Sequence, residues 1–357
     1  MSNVKDMYSK PIVCELGEKI RRVHNSFDTD KFVSNVFNDE WEQLELFARI
    51  THIAKILDNM LSDYTESLAL FCAIIPDCNT AQGMVFPQYV AVNGLDKLDE
   101  SAAALEKITE YSTCEFAVRP FIDKYPQHMF EILMSWSKSD NEHIRRLASE
   151  GTRFAIPWGA RLQTVKDNPS YAIPILENLK DDPAEYVRKS VANNLNELSK
   201  IAPDLVVNLA RKWMGNSKNT DWIIKHASRT MLKKAYPPVM ELYGLAKPVG
   251  IAVKLISVPS NVKLDDELAF SFEITNETDD GIKIRIGYNI GFLKNNGKIN
   301  YKENRISERV CKPGITTIER KHKITETSTR KIYMGRHELK ITINGCSMAE
   351  AEFIVHS

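Results

Sequence analysis

The chain has 357 residues, more than one average domain needs, and this length predicts two domains. A hydrophobic fraction of 43% and a charged fraction of 26% exclude a disordered chain and are typical of a globular protein. The formal net charge of zero argues against nucleic-acid binding by the chain as a whole, and six scattered cysteines without CxxC spacing exclude a zinc ribbon or a disulfide framework.

The N-terminal stretch MSNVKDMYSK lacks the basic and apolar segments of a signal peptide. No apolar run in the sequence approaches the length of a transmembrane helix. Together with the pattern of cysteines, this predicts a cytoplasmic protein that does not act in a membrane.

Residues 1–246 are predicted to form an all-α domain. Apolar residues recur at three- and four-residue spacing in WEQLELFARITHIAKIL, ALEKITEYSTCEFAVRPFI and PDLVVNLARKWM. Short breakers rich in Asp, Asn and Pro, of the kind that cap helices, separate such segments: DKYP, KSDN, DNPS, KDDP and IAPD.

Two of the helical segments are copies of one another. NEHIRRLASEG superposes on AEYVRKSVANN with Arg145 on Arg188 and Glu150 on Asn193, a period of 43 residues. A weaker third copy, DWIIKHASRTML, places Lys225 a further 37 residues along the chain. Periods near 40 with two or three helices each are typical of HEAT-like repeats. The sequence therefore predicts a HEAT-like solenoid in which one helix of each repeat lines a shared face.

Residues 250–357 are predicted to form an all-β domain, because the periodicity changes from helical to alternating after KPVG at 247–250. The β-rich runs are IAVKLISV, ELAFSFEITN, GIKIRIGYNIGF, ITTIERKHKI, HELKITIN and AEAEFIVH. Asn344 and Gly345 lie between two of these runs and are a strong hairpin signal. About six or seven short strands predict an antiparallel sandwich of the immunoglobulin type.

Three carboxylates occupy similar positions in the helical half, each one helical turn from a basic or amide side chain. The pairs are Glu115 with Arg119, Glu150 with Arg146 and Arg153, and Glu197 with Asn193 and Lys189. Successive repeats would bring the three acids towards one surface. The same spacing also fits ordinary surface ion pairs, each worth about 0.2–0.5 kcal/mol.

Residues 145–162, RRLASEGTRFAIPWGARL, contain two further unusual positions. A glycine inside a helix costs roughly 1 kcal/mol relative to alanine, so Gly151 predicts either a close approach of another backbone or the end of the helix. Trp158, in a Pro-Trp-Gly turn, fits either a core residue or an exposed indole that stacks on a base or sugar. The histidines show no metal-ligand spacing, so we expect no metal site.

The basic residues of the chain concentrate where this motif lies. Residues 1–140 carry 13 Lys and Arg against 22 Asp and Glu, whereas residues 141–235 carry 16 against 10. Residues 248–357 carry 17 against 14. A local basic surface is what a polyanion partner needs, because affinity follows the neutralised phosphates rather than the charge of the whole chain.

The stretches NEHIRRLASEGTRFAIPWGARL, at 141–162, and LKDDPAEYVRKSVANNLNELSK, at 179–200, resemble the AlkC-type bacterial DNA alkylation repair glycosylases. FAVRPFI, at 116–122, is similar to the preceding helix of the same family. The resemblance is strongest over residues 110–215. One branch of that family carries a C-terminal immunoglobulin-like domain, which agrees with the strand pattern of this chain.

The resemblance implies a monofunctional hydrolase, a DNA glycosylase that removes cationic N-alkylated bases such as N3-methyladenine and N3-methylcytosine in base excision repair. Its partner is double-stranded DNA containing alkylated bases, and the lesion is engaged without the usual extrusion of the base into a pocket. We expect a monomer without cofactor or metal, associated with the bacterial nucleoid when it acts.

Position in the matched motifs makes Glu115 and Glu150 the acids that face the lesion nucleotide. Glu197 is the third expected catalytic acid, and it stands where the family more often has Asp, a departure that keeps the charge but lengthens the side chain. The residues expected to hold DNA are Arg119, Arg146, Arg153, Trp158, Arg161, Arg188, Lys189 and Asn193.

Two other functions fit the predicted architecture. HEAT-like solenoids often serve as protein scaffolds and immunoglobulin-like domains often bind partners, so a non-catalytic scaffold is one alternative. A DNA-damage binder without catalysis is the other. For the C-terminal domain, the basic cluster at 320–323 predicts a supporting role in DNA binding. A domain that only stabilises the protein or binds a partner fits the sequence equally well.

Overall fold

The computed structural model describes residues 4–328 and 330–357, so the first three residues of the predicted helical half lie outside it. The last α-helix ends at Leu242 and the first strand begins at Ile251. The change from helix to strand therefore falls where the periodicity predicts it. No helix of the described residues is both long and apolar enough to cross a membrane.

Short helices, numbered here in chain order, make up the N-terminal part of the described chain. A short 3-10 helix at Val4–Met7 precedes them, and others at Trp41–Gln43, Ile75–Asp77 and Pro169–Ala172 lie between some of them. The α-helices are α1 (Lys10–Val23), α2 (Thr29–Val36), α3 (Leu46–Met60), α4 (Tyr64–Ile74), α5 (Thr80–Gly83), α6 (Val85–Asn93), α7 (Leu98–Ile108), α8 (Glu115–Lys124), α9 (Pro126–Trp136), α10 (Glu142–Gly151), α11 (Gln163–Asp167), α12 (Ile173–Leu179), α13 (Glu185–Leu198), α14 (Pro203–Trp213), α15 (Lys218–Ala227), α16 (Arg229–Lys233) and α17 (Pro237–Leu242).

Polar residues in the turns begin several of these helices. The Asp63 side chain accepts from the backbone N–H of Glu66 at the start of α4, and Asn141 accepts from His143 at the start of α10. These bonds satisfy N–H groups that the first turn of a helix leaves without partners. One run read as a single helical segment, ALEKITEYSTCEFAVRPFI, is divided into α7 and α8, which places Glu115 at the first position of a helix.

The 43-residue repeat has a structural counterpart in α10 and α13, which begin at the equivalent residues Glu142 and Glu185. In α10, Arg145 Nη1 donates to the carbonyls five and six residues before it, at 2.9 Å each. In α13, Arg188 Nη1 makes the same two bonds at 2.7 Å. The repeated arginine therefore ties the first turn of each helix to the turn that precedes it.

Arg145 also joins consecutive repeats. Its Nε lies 2.6 Å from Asp182 Oδ2 and its Nη2 lies 3.0 Å from Asp182 Oδ1, a bidentate pair. The side chain of Asp182 is 3% exposed, and Oδ1 also accepts from the backbone N–H of Ala184 at 2.9 Å, just before α13. One buried carboxylate thus orients α13 relative to α10.

Eight strands follow in the described C-terminal part, in two sheets. The strands are β1 (Ile251–Ser257), β2 (Asn261–Lys263), β3 (Glu267–Asn276), β4 (Ile282–Leu293), β5 (Ile299–Cys311), β6 (Gly314–Lys323), β7 (Gly335–Ile343) and β8 (Cys346–His356). One sheet has the order β1-β3-β6 and the other β2-β8-β7-β4-β5, and all pairings except β2 with β8 are antiparallel. Apolar side chains of both sheets form one core, with Phe272, Ile286 and Phe353 among its most buried members.

The sequence did not predict β5, and the reason is its place in the sheet. It lies at an edge, paired with β4 alone, and carries the charged run INYKENRISERVC. Charged side chains protect an edge strand from pairing with other chains, but they remove the alternation that identifies a strand. By contrast, the predicted hairpin at Asn344 and Gly345 joins β7 to β8, with φ of 49° and 79°.

The chain divides into two compact units, Met1–Ala227 and Ser228–Ser357. Helices α16 and α17 thus belong to the same unit as the strands, and contacts within that unit explain this. Asn344 Nδ2 donates to the Ala246 carbonyl at 2.7 Å, and Lys283 Nζ donates to the Tyr243 carbonyl at 2.9 Å. The predicted division into 1–246 and 250–357 remains a prediction about domains.

Glu177, on α12, accepts hydrogen bonds from side chains of α14. Its Oε1 accepts from Lys212 Nζ at 2.8 Å and from Trp213 Nε1 at 3.0 Å, and its Oε2 accepts from Lys180 Nζ at 2.9 Å. Burial by itself would raise the pKa of Glu177, but the hydrogen bonds from Lys212, Trp213 and Lys180 outweigh it and lower the pKa to about 2.

We predict that Glu177→Gln removes an acid-dependent part of the stability. A carboxyl group with a lowered pKa in the folded state stabilises the fold above the unfolded value, near 4.5, and loses that contribution as the pH falls towards 2. The variant should lose about 1–2 kcal/mol of unfolding free energy at pH 7, and the gap to wild type should narrow below pH 4.5. Denaturant melts between pH 7 and 2.5 measure this. Glu131→Gln, exposed on α9, is the matched control, and a gap that stays constant with pH would contradict the assignment.

Candidate active site

The candidate site is built around the C-terminal end of α10 and the α10–α11 loop, residues 152–162. Helix α10 ends at Gly151, and α8 packs closely against it at this point. A Cβ atom on Gly151 would lie 2.7 Å from Val118 Cγ1, well inside van der Waals contact. Of the two predicted reasons for this glycine, the end of the helix applies, since Gly151 is the last helical residue. The close neighbour is the Val118 side chain and not another backbone.

Arg119, on α8, supports the end of α10 and the α10–α11 loop through hydrogen bonds to their backbone. Its guanidinium is buried, with the residue 6% exposed, and it donates to four backbone carbonyls. Nη1 donates to the carbonyls of Gly151 at 3.4 Å and Arg153 at 2.6 Å. Nη2 donates to the carbonyls of Phe154 at 3.2 Å and Ala160 at 2.6 Å. Burial lowers the pKa of Arg119 to about 10, although the nearby Asp123 and Glu150 charges oppose this.

This arrangement differs from the expected phosphate contact at Arg119. The helix spacing placed Arg119 beside Glu115, but its side chain is directed to the loop carbonyls instead. Carbonyls at a helix end that lack intrahelical partners are costly to bury, so a buried five-donor side chain satisfies several at once. In the structure Arg119 supports the loop and does not present a free cation.

Glu115 pairs with Arg146 rather than with Arg119. Arg146 Nη1 lies 2.8 Å from Glu115 Oε2 and Nη2 lies 3.1 Å from Oε1, a bidentate bond between α10 and α8. Because Glu115 is the first residue of α8, the helix dipole also favours its negative charge. Burial would lower the pKa of Arg146, but the bonds to Glu115 and the charges of Glu115 and Glu150 outweigh it and raise the pKa.

Glu150 is 7% exposed and has a partner for each carboxylate oxygen. Arg153 Nη1 donates to Oε1 at 2.8 Å, the i, i+3 pair that the sequence suggests. The Ser190 hydroxyl, on α13, lies 2.7 Å from Oε2 and 3.0 Å from Ser149 Oγ. The side chain of Glu150 is therefore fixed by its own loop and by the next repeat.

Glu197, on α13, is also 7% exposed. Lys200 Nζ donates to both of its oxygens at 2.7 Å, and Arg153 Nη2 lies 3.6 Å from Oε1. Arg153 thus lies between the carboxylates of Glu150 and Glu197, so the structure brings these two acids to one guanidinium. Glu115 and Arg146 form a separate ion pair, and the charge of Glu150 contributes to the raised pKa of Arg146.

Trp158 is an exposed indole and not a core residue. It is 84% exposed, and its φ of 64° lies in the left-handed region that bulky residues avoid. Its ring contacts Phe47 of α3 edge-on at a centroid distance of 6.2 Å, and Phe47 in turn contacts Phe116 at 5.5 Å. Phe47 was not identified from the sequence, because no local pattern links it to a loop more than 100 residues away.

The remaining residues expected to hold DNA differ in how far their side chains are exposed and in what they already bond. Arg161 is exposed, with its guanidinium 5.8 Å from the centre of the Phe154 ring, and Lys189 is exposed and pairs with Glu185 at 2.9 Å. Arg188 is half-buried and donates to the two carbonyls described above, so its role here is within the repeat. Asn193 lies half-buried on α13.

Tyr186 is a further residue of this region that sequence patterns did not single out. It is half-exposed on α13, and the Arg146 guanidinium lies 5.3 Å from its ring centre. Burial raises the pKa of Tyr186, with Arg146 opposing the shift. Across the described residues, no group of three or more His, Cys, Asp or Glu is placed to hold a metal ion.

Comparison with known proteins places the chain in a family. A family model described as "DNA alkylation repair enzyme" matches residues 88–236, and one described as "Uncharacterised protein YhaZ, C-terminal Ig-like domain" matches residues 252–357. The Bacillus subtilis (strain 168) protein described as "Uncharacterized protein YhaZ" is 37% identical over 348 residues, which is 97% of each chain.

A solved structure of Pseudomonas fluorescens alkylpurine DNA glycosylase AlkC, bound to DNA containing an abasic site analog, is 30% identical and matches 100% of both chains with a TM-score of 0.92. The chain belongs to the AlkC-type DNA alkylation repair family. The resemblance drawn from the motifs at 141–162 and 179–200 is thereby confirmed. The predicted architecture of helical repeats followed by an immunoglobulin-like domain is confirmed as well.

We predict that Gly151→Ala loosens the packing of α10 on α8. The added Cβ meets Val118 Cγ1 at 2.7 Å, and overpacking of this kind costs about 1–3 kcal/mol, more than the helix propensity that alanine adds. Chemical denaturation measures the loss. In a double-mutant cycle, Val118→Ala removes the contacting methyl group, so the double variant should be less destabilised than the sum of the single ones. A Gly151→Ala variant as stable as wild type would show that the helices separate without cost.

Proposed function

We propose that this protein is a monofunctional DNA glycosylase that hydrolyses the glycosidic bond of cationic N-alkylated bases, of the N3-methyladenine and N3-methylcytosine class, in double-stranded DNA. The reaction is the first step of base excision repair. The full-length similarity to an alkylpurine DNA glycosylase supports the reaction type. The observation that carries the proposal is the set of three largely buried carboxylates on α8, α10 and α13, each held by a cation.

The chemistry suits carboxylates that bind no metal and donate no proton. A base with a fixed positive charge leaves as a neutral molecule when the C1′–N bond breaks and the bonding electrons move to the base. The sugar becomes an oxocarbenium-like cation, and the oxygen of a water molecule then bonds to C1′ and releases a proton. Preorganised negative charge near C1′ stabilises this cation and orients the water.

In the proposal, Glu115 and Glu150 face the lesion nucleotide and Glu197 supports them. Glu150 is the strongest candidate to act at the sugar, because Ser190 and Arg153 hold its two oxygens in fixed positions. The acids approach from helices outside the duplex, so the lesion is engaged without extrusion of the base into a pocket. No cofactor enters this scheme.

DNA is held, in the proposal, by the exposed part of the expected set. Arg161 and Lys189 contact phosphates, and the indole of Trp158 packs on a sugar or base. Arg119, Arg153 and Arg188 act within the protein, because their guanidinium groups bond carbonyls and carboxylates. We place the glycosylase chemistry in 1–246 and the immunoglobulin-like domain in 250–357, with the protein acting as a cytoplasmic monomer on the nucleoid.

We predict that Glu150→Gln lowers the single-turnover rate of N3-methyladenine release from methylated DNA by about 100-fold. Glutamine keeps the shape, its side-chain oxygen can accept from Arg153, and its NH2 group can donate to the Ser190 hydroxyl oxygen, so DNA affinity and melting temperature should stay near the wild-type values. Glu142→Gln, an exposed change at the start of the same helix, is the matched control.

Three outcomes separate the possible functions. Full activity in Glu150→Gln rejects this role for Glu150. Wild-type protein that binds damaged DNA but releases no base is a damage binder, and wild-type protein that does neither is a scaffold. Each result is obtained from the same purified proteins.

We also predict that Arg161→Met weakens DNA binding through loss of one phosphate contact. The slope of log affinity against log salt concentration should fall by about 1, equally for damaged and undamaged duplexes. Fluorescence anisotropy at several salt concentrations measures the slope. Arg21→Met, an exposed change on α1, serves as the control, and an unchanged slope for Arg161→Met would remove it from the interface.

A further inference from the structure

Arg153 occupies an unusual position between two carboxylates that lie on different helices. Its Nη1 lies 2.8 Å from Glu150 Oε1, and its Nη2 lies 3.6 Å from Glu197 Oε1. The two ends of one planar fork are therefore directed at two acids. A lysine, with a single ammonium group, cannot reproduce this geometry.

The backbone of Arg153 is held as firmly as its side chain. Its N–H donates to the Glu150 carbonyl at 3.2 Å, and its carbonyl accepts from Arg119 Nη1 at 2.6 Å. The side chain is 11% exposed, and Nε is buried without a hydrogen-bond partner among the described residues. A guanidinium so enclosed is poorly placed to reach a phosphate, in contrast to exposed Arg161.

Electrostatics explains why a cation is required at this point. Two carboxylates that share a site repel each other, and without a cation between them one takes up a proton at higher pH. The other charged and titratable groups that face this site are Glu115 and Arg119 on α8, Arg146 on α10, and Tyr186 and Lys200 on or next to α13. Arg146 is engaged by Glu115, Arg119 by carbonyls, and Lys200 by Glu197 alone, so Arg153 is the cation in this set that contacts both Glu150 and Glu197.

We propose that Arg153 is a positioning residue that bridges Glu150 and Glu197, offsets the repulsion between the two carboxylates and sets their orientation towards the lesion sugar. It does not itself contact the phosphate backbone. This inference rests on the proposed function only in its last step, the orientation towards the sugar. The bridge between the carboxylates is a property of the free protein and can be tested without any DNA.

The first experiment therefore follows the carboxyl groups themselves. Protein labelled with 13C at the glutamate carboxyl carbons is titrated by NMR, with Glu150→Gln and Glu197→Gln used to assign the two signals. In Arg153→Met, the two carboxyl groups should titrate in two separated steps, the later of them at least about one pH unit above the wild-type transition. Arg153→Lys should give a smaller displacement, and Arg21→Met, a matched change on α1, should give none.

The second experiment measures catalysis. Single-turnover release of N3-methyladenine is recorded between pH 5 and 9 with enzyme in excess, and DNA affinity is measured separately. Arg153→Met should lower the maximal rate by about 10- to 100-fold and move the acidic limb of the profile to higher pH, with the salt dependence of DNA binding unchanged. Arg153→Lys should recover part of the rate, which a merely structural role for the loop does not require.

The outcomes distinguish the inference from the proposed function. An unchanged carboxyl titration in Arg153→Met overturns the bridge whatever the enzymatic result, as does a loss of salt dependence that would make Arg153 a phosphate contact. If the titration shifts but wild-type protein releases no alkylated base, the bridge stands and the glycosylase proposal fails. If Arg153→Met does not fold, Arg153→Lys is the deciding variant, because a lysine cannot contact both Glu150 and Glu197. An unshifted carboxyl titration in folded Arg153→Lys then rejects the bridge.

Discussion

The hydrogen bonds from the buried guanidinium of Arg119 to four backbone carbonyls hold the segment around which the site is built. Helix α10 ends inside the protein, where its last carbonyls and those of the following loop need donors. Arg119 supplies four bonds to this segment, and Asn194 Nδ2 adds a fifth by donating to the Ser149 carbonyl at 2.7 Å. These bonds fix the segment that carries Arg153 and Trp158. An uncompensated charge at this depth would cost several kcal/mol, so the loop and the arginine stabilise each other.

The same constraint governs the carboxylates. Glu115, Glu150 and Glu197 are nearly enclosed, and each has a cation within hydrogen-bond distance or close to it. Pairs of this kind contribute little net stability, because desolvation offsets most of the Coulomb attraction. Their value lies in position, since an acid with both oxygens bonded does not reorganise as a positive charge develops nearby. The site is thus preorganised by interactions that add little to the overall stability of the fold.

The repeat explains how α10 and α13 come to present Glu150 and Glu197 together. Arg145 and Arg188, 43 residues apart, make the same backbone contacts, so α10 and α13 begin with the same geometry relative to the turns that precede them. The acids do not follow the repeat, since Asn193 stands at the position equivalent to Glu150 and Glu197 lies one turn beyond it. The two repeats thus share the arginine that bonds the preceding turn, whereas the acids of the site occupy non-equivalent positions. An exposed indole held in a left-handed conformation at Trp158 completes the same surface.

Sequence patterns alone predict the helical and β-rich halves, the 43-residue period, the hairpin at Asn344 and Gly345 and the family, because these depend on local periodicity, turn chemistry and motif identity. The sequence also predicts that Glu150 and Arg153 form a pair, since residues three positions apart at the end of a helix lie close in space. The folded structure was needed to show that Arg146 bonds Glu115, that Arg119 is buried and that Arg153 lies close to Glu197. Those contacts join different helices, and the choice among several nearby arginines depends on burial and on which carbonyls lack a partner, neither of which a linear pattern records.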